Sequence, residues 1–342
     1  MAVFTEVTGE VCAKLLESYD IGSFIDMRGI TAGIENSNFY VTTSEGRWVL
    51  TIFERLSEAQ LPFYLELCRH LGDKGLAVCA PEKTRDGKLF AHVLGKPCSI
   101  AKCIPGSDCK DPDVYVCEEL GEMLAKMHLA VKDFPLEQEN TKGLAFWKEV
   151  EPQLKPHIPE ALHELLRDEI AHQEALQASD AYRALEKGAV HADLFRNNAL
   201  VEFKDVVEFH EDNGGFRETV STVQTLGGVI DFYFACTAPF LYDLAVTVND
   251  WCIDQETGEF IEKKVQAFLN GYAKVRPLSD AEHALWKDML RAAALRFWVS
   301  RLYDFYMPRE AALLKPLDPT HFEKMLKLRR GAAEADLPWP AV

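Results

Sequence analysis

The secondary-structure signals change character near residue 105, and this asymmetry constrains the fold more than any other feature of the 342-residue chain. Upstream, aromatic and β-branched runs alternate with turn residues. N-F-Y-V-T-T-S (38–44) and R-W-V-L-T-I-F (47–53) are separated by Glu45–Gly46, a short hairpin signal. A helix is expected over about 57–73 and a further strand over 97–104, after which Pro105–Gly106 breaks the chain. Downstream the pattern is helical with one strand-rich interruption. The expectation is an α+β chain in two lobes: a small β-rich lobe over 1–104, a larger mostly helical lobe over 105–330, and a loose tail over 331–342.

Two helices of the second lobe can be located from their caps and periodicity. Asp111 followed by Pro112 gives a cap with proline at the first position. Cys117, Leu120, Leu124, Met127 and His128 then recur at three- and four-residue steps, which predicts a helix over 112–130. Ser279 and Glu282 form a capping box that opens a long helix through Trp286, Leu290, Phe297 and Leu302. Its second half, A-A-A-L-R-F-W-V-S-R-L-Y, is apolar on nearly every side and should be buried. Arg296 and Arg301 are out of place there.

Composition narrows the function classes. With 37 basic against 54 acidic residues and a net charge of −17, the chain lacks the basic balance of a nucleic-acid binder. The start, M-A-V-F-T-E, has no charged n-region leading into an apolar stretch, and no run of about 18 apolar residues occurs. A cytoplasmic protein with neither nucleic-acid nor membrane partners is expected. The nine cysteines are irregularly spaced without a C-x-x-C pair, so they read as reduced thiols.

The chemistry is concentrated in V-H-A-D-L-F-R-N-N-A-L-V (190–201), which carries His191, Asp193 and Asn198 as H-x-D-x-x-x-x-N. Phosphoryl transfer from ATP needs a carboxylate near the attacking hydroxyl and oxygen ligands for Mg2+, and a loop of this length can present Asp and Asn to one small volume. Alone, the string is also compatible with an Asx-rich turn. Asp231, directly after the apolar strand of G-G-V-I-D-F-Y-F-A-C-T, adds a second carboxylate where a kinase holds its other metal ligand. Asp243, opening a helix in Y-D-L-A, is expected to accept hydrogen bonds from the 191–194 backbone, with His191 as a brace beside it. The 33 positions from Asn198 to Asp231 exceed the about 10–17 residues a hairpin joining such sites requires. The surplus around 203–224, turning at Asp212–Asn213–Gly214–Gly215, predicts an extended hairpin.

Five stretches carry a family resemblance: G-I-E-N-S-N-F-Y (33–40), H-A-D-L-F-R-N-N (191–198), V-I-D-F-Y-F-A-C-T (229–237), Y-D-L-A-V-T-V-N-D-W-C (242–252), and L-R-F-W-V-S-R-L-Y-D (295–304) with P-R-E-A-A-L-L-K-P (308–316). Over about residues 2–330 the chain resembles the aminoglycoside-phosphotransferase-like branch of the protein-kinase fold, and within it the bacterial homoserine kinases. The resemblance implies transfer of the γ-phosphoryl group of ATP to L-homoserine, giving O-phospho-L-homoserine in threonine biosynthesis. It implies Asp193 as catalytic aspartate, Asn198 and Asp231 as Mg2+ ligands, Gly33, Asn36, Ser37 and Asn38 as the turn over the ATP phosphates, and adenine against the backbone of Ala101, Lys102 and Cys103. Arg296 or Arg301 would read the substrate carboxylate; an internal Arg301–Asp304 pair is the other reading. Thr51 stands where many relatives place a phosphate-binding lysine, and Tyr64 stands near that lysine's usual glutamate partner. Arg55, Lys102 and Arg196 are candidate substitutes, Arg196 foremost because it lies in the catalytic loop. A kinase for choline, methylthioribose, hydroxylysine or an aminoglycoside, and a nucleotide-binding module without transferase activity, remain as alternatives. The oligomeric state is left open.

Overall fold

The computed structural model describes residues 5–30, 36–212, 215–308 and 316–340. After α1 (Gly9–Leu16) come β1 (Phe24–Ile30), β2 (Ser37–Thr43), β3 (Gly46–Ile52), α2 (Leu61–Asp73), β4 (Ala91–Val93) and β5 (Lys96–Lys102). The five strands form one antiparallel sheet in the order β1-β2-β3-β5-β4. Alternation decides which side is buried: Trp48, Leu50 and Ile52 of β3 join Phe39, Val41, Cys98 and Ile100 against Cys12, Leu15 and Leu16 of α1. The β2–β3 hairpin turns at Ser44–Glu45, because Thr43 pairs with Gly46, one residue earlier than its turn chemistry suggested. Helix α2 starts at Leu61 rather than at 57, since Ser57 and Gln60 bond to each other in a turn ahead of Pro62.

The chain leaves the sheet at Pro105–Gly106. Gly106 has φ +112°, and a side chain there would meet the backbone of Val201, which exchanges two hydrogen bonds with Ser107. The remainder runs through α3 (Val114–Ala130), α4 (Leu144–Leu154), α5 (Glu160–Gln177), α6 (Asp180–Ala184), β6 (Lys187–Val190), β7 (Ala199–Asp212), β8 (Gly215–Val229), β9 (Cys236–Pro239), α7 (Phe240–Trp251), α8 (Glu262–Val275), α9 (Asp280–Ala284), α10 (Trp286–Tyr306) and α11 (Thr320–Gly331). Every residue of α7 is buried. Helices α3 and α8 pack so closely that a Cβ at Gly121 or Gly271 would run into the facing backbone. No helix among the described residues is long and apolar enough to cross a membrane.

Three expectations need correcting here. Asp113, not Asp111, caps α3: its Oδ1 accepts from the amides of Tyr115 and Val116, each at 2.9 Å, while Asp111 pairs with Lys264. The capping box at Ser279–Glu282 opens only α9, and the helix breaks at Leu285 before α10 begins. The tail is not loose through residue 340. Trp339 stacks on His283 with ring centroids 4.7 Å apart, and the Trp286 indole donates to the Pro338 carbonyl at 2.9 Å, so an aromatic anchor docks it on the C-terminal lobe. The extended hairpin is present as β7–β8, a two-stranded ribbon exposing Phe203, Val207 and Val220; residues 213–214 at its tip lie outside the described residues.

Candidate active site

Two short pairings bring the chemical residues together. Strands β6 and β9 pair antiparallel with Val190 opposite Cys236, so the 191–198 loop and the segment after Asp231 leave the same edge. At the foot of the ribbon Ala199 pairs with Val229, and the Ile230 amide donates to the Asn198 carbonyl at 2.9 Å. Asn198 and Asp231 therefore flank the base of the ribbon whatever its length. Two non-glycine residues here have left-handed backbones, Ala192 at φ +60° and Asp231 at φ +64°. Such conformations cost about 1–3 kcal/mol each and persist where surrounding bonds hold them.

Asp243 supplies the bonds that hold the loop. It is fully buried at the start of α7, and its carboxylate accepts the amides of His191 at 2.9 Å and Ala192 at 2.7 Å, as the sequence led one to expect. Its third partner is His128 of α3, whose Nε2 lies at 3.1 Å while Nδ1 meets the Tyr272 hydroxyl at 2.7 Å. Burial alone would raise the Asp243 carboxyl, but the hydrogen bond from His128 and the amide of His191 outweigh it and hold it below the usual range. Burial pushes His128 down against the opposing pull of Asp243, which keeps the ring neutral with Nε2–H donating. His191 is a brace in its own right. Its Nδ1 accepts the Asp193 amide at 3.2 Å and its Nε2 meets the Ile230 carbonyl at 2.9 Å, tying the 191–198 loop to the residue before Asp231.

Asp193 is held from two sides. The Asn198 side-chain nitrogen donates to its carbonyl at 2.8 Å and to Oδ2 at 3.2 Å, and Arg296 of α10 places Nη1 3.2 Å from Oδ1. Arg296 is only 4% exposed and lies over the faces of Phe297 and Phe234. With its amide nitrogen fixed, Asn198 turns its oxygen elsewhere, where it accepts from Asn197 at 3.1 Å. Asp231 is exposed. One amide oxygen and one exposed carboxylate are a hard-oxygen set that suits Mg2+, which takes one or two carboxylates and completes its octahedron with phosphates and water. No cluster of three or more His, Cys, Asp or Glu groups suited to a metal occurs among the described residues.

Other expected site residues are arranged differently. Arg196 is not a spare cation. Its amide and Nε both bond to Asp250 Oδ2, at 2.8 and 3.1 Å, and Nη1 donates to the Lys110 carbonyl, so it fastens the loop to α7. Ser37 is fully buried, accepting from the Thr5 amide and donating to Glu54 at 2.6 Å, so its hydroxyl is engaged within the protein. Asn36 is buried, and Asn38 accepts the Thr51 hydroxyl at 2.9 Å. Gly33 lies outside the described residues. Ala101 pairs with Val49, Lys102 is exposed, and the Cys103 amide is bonded to the Arg47 carbonyl at 3.0 Å. Tyr64 is buried with its ring against Tyr233, centroids 6.1 Å apart. Sequence reasoning missed His128, Asp250 and the pairing of Arg296 with Asp193. For His128 the available signal was a lone imidazole on the apolar face of the 112–130 pattern.

The chain belongs to the phosphotransferase enzyme family, whose sequence pattern matches residues 26–278 and so spans the 191–198 loop, the ribbon and Asp243. Among solved structures it is similar in fold to amicoumacin kinase hAmiN, seen with AMP-PNP and Ca2+, at TM-score 0.63 and 19% identity over 94% of this chain and 91% of that one. A choline kinase from Cryptosporidium parvum gives TM-score 0.59 and 14% identity, covering 94% of each chain. Full-length sequence relatives narrow the assignment. Homoserine kinase of Cupriavidus necator is 49% identical, covering 99% of this chain and 100% of that protein, and homoserine kinase of Paraburkholderia phymatum is 48% identical over 97% and 99%. Within the family, the chain belongs with the homoserine kinases.

Proposed function

We propose that this chain transfers the γ-phosphoryl group of ATP to the side-chain hydroxyl of L-homoserine, with Asp193 as the general base. The observation that carries the reading is the convergence of Asp193, Asn198 and Asp231 at the ribbon foot, in a chain 49% identical from end to end to a homoserine kinase. A homoserine hydroxyl is a weak nucleophile at neutral pH. A carboxylate within hydrogen-bond reach orients it and takes its proton as the bond to phosphorus forms and the bond to the bridging oxygen of ADP breaks. Arg296 and Asn198 hold the Asp193 carboxylate ready for that contact, and Asp243 with His128 holds the loop that carries it.

Asn198 and Asp231 would hold Mg2+, which neutralises charge on the β- and γ-phosphates when bound. The nucleotide would lie between an ATP-binding lobe over 1–104 and a catalytic lobe over 105–330, with adenine against residues 101–103. A cytoplasmic setting fits the nine free thiols. The test is ADP release from Mg-ATP with homoserine, choline, methylthioribose and an aminoglycoside as acceptors. Homoserine is expected to be preferred; preference for another alcohol, or no release with any of them, overturns the reading.

A further inference from the structure

Arg296 and Arg301 of α10 were both candidates for reading the carboxylate of an amino-acid substrate, and their surroundings separate them. Arg296 is already committed to Asp193, at 3.2 Å. Arg301 is half-buried, yet no carboxylate lies within ion-pair distance of it among the described residues. Among the described residues its one hydrogen bond is a 3.3 Å contact from Nη1 to the Asp318 carbonyl. Guanidinium groups carry five donors, and buried ones are normally paired or fully hydrogen-bonded. Arg329 shows a better-bonded case: it too lacks a carboxylate partner among the described residues, but it donates to the Asn249 side chain at 2.9 Å and the Gly258 carbonyl at 3.0 Å. Burial pushes Arg301 down to about 10, with Asp250 and Asp318 pulling the other way and Arg296 adding to the depression.

The position of Arg301 relates it to the catalytic loop. Its guanidinium lies 4.4 Å from the centroid of Phe322, which packs on Phe297 and Phe195 with centroids 5.1 and 6.0 Å away. Phe195 is two residues beyond Asp193, and Phe297 carries the Arg296 guanidinium over its face. An aromatic floor thus runs from the catalytic aspartate to Arg301. Five residues separate the two arginines, about 7.5 Å along the axis of α10. Extended homoserine spans about 5 Å from hydroxyl to carboxylate, and with a hydrogen bond of about 2.8 Å at each end it reaches about 10 Å, more than that axial rise.

We infer that Arg301 is the specificity residue that binds the α-carboxylate of the amino-acid acceptor, while Arg296 serves as a positioning residue on Asp193. This rests on the homoserine kinase reading above. The test compares homoserine with 3-aminopropan-1-ol, its analogue without the carboxylate, on full-length wild type, R301Q and R301K. In wild type, kcat/KM for 3-aminopropan-1-ol should lie about 10²-fold below that for homoserine, in line with loss of a charge-assisted, two-pronged contact. In R301Q, homoserine should fall to the level of 3-aminopropan-1-ol, mainly through KM, while 3-aminopropan-1-ol stays within about twofold of wild type. R301K, which keeps the charge and the fold but not the fork, should lose about tenfold on homoserine alone. Retention of the homoserine advantage in R301Q or R301K, or equal losses on both acceptors, overturns the inference. Failure of wild type to phosphorylate homoserine at all overturns the functional reading itself, and the inference with it.

Discussion

Asp243→Asn probes the link between fold and chemistry most sharply, because it changes one atom in a fully buried group with three donors aimed at it. Asparagine keeps one acceptor oxygen and turns an NH2 toward a donor, so at least one of the His191 amide, the Ala192 amide and His128 Nε2 is left unpaired. A buried donor without a partner costs about 1–3 kcal/mol, and the remaining bonds lose their charge assistance, about 1 kcal/mol each. The sum is about 3–5 kcal/mol, a large share of the about 5–15 kcal/mol that holds a typical domain. Ala192 also loses what holds its left-handed backbone, so the loop should relax and misplace Asp193. Urea denaturation should show the lost stability, and an ADP-coupled assay on the folded variant should show turnover reduced by about 10²-fold or more. A loss below about 1 kcal/mol with unchanged turnover would refute the bracing argument.

The remaining expectations are simpler. Asp231→Asn should lose most activity and require more Mg2+ for what is left; wild-type turnover with unaltered Mg2+ dependence would remove Asp231 from the metal site. Replacing residues 205–222 by Asn-Gly should leave the protein folded and active, since Lys204 and Val223 are paired and Gln224, which meets the Asp113 amide, is retained; loss of soluble protein would count against it. His128 is neutral when folded and its pKa is depressed, so the unfolded chain takes up a proton that the native state refuses. Stability should therefore fall as pH drops below about 6.5 toward the lower native value. His128→Gln should flatten that part of the profile in denaturation series between pH 7 and 5, and an unchanged slope would contradict the assignment.

What could be read in advance followed the range of the interactions involved. The H-x-D-x-x-x-x-N loop was legible because its spacing is local, and Asp243, 51 and 52 positions from the amides it accepts, because it is a carboxylate in the otherwise apolar opening of a helix. The ribbon was legible from turn residues between alternating runs. Arg296 and Asp193 are 103 positions apart, and only the packing of α10 against the loop joins them, so Arg296 could be flagged as a misplaced charge but not paired. Arg196 looked free for a phosphate because nothing local reveals Asp250, seven residues along α7 from Asp243. Ser37 is turned inward by the strand period: one step along β2 separates Asn38, which meets Thr51, from Ser37, which meets Glu54. Asp111 was read as the cap from the proline that follows it, but it pairs with Lys264 of a distant helix and Asp113 caps α3 instead.

The central claim is that Asp193 takes the acceptor's proton, and the most direct measurement is turnover of Asp193→Asn on Mg-ATP and homoserine beside calorimetry of Mg-ATP binding to the same preparation. Asparagine preserves the shape and the contact with Asn198 but accepts no proton. ATP affinity should stay near wild type while turnover falls by about 10²–10⁴-fold, the range for loss of general-base catalysis. Unchanged turnover with homoserine would contradict the account.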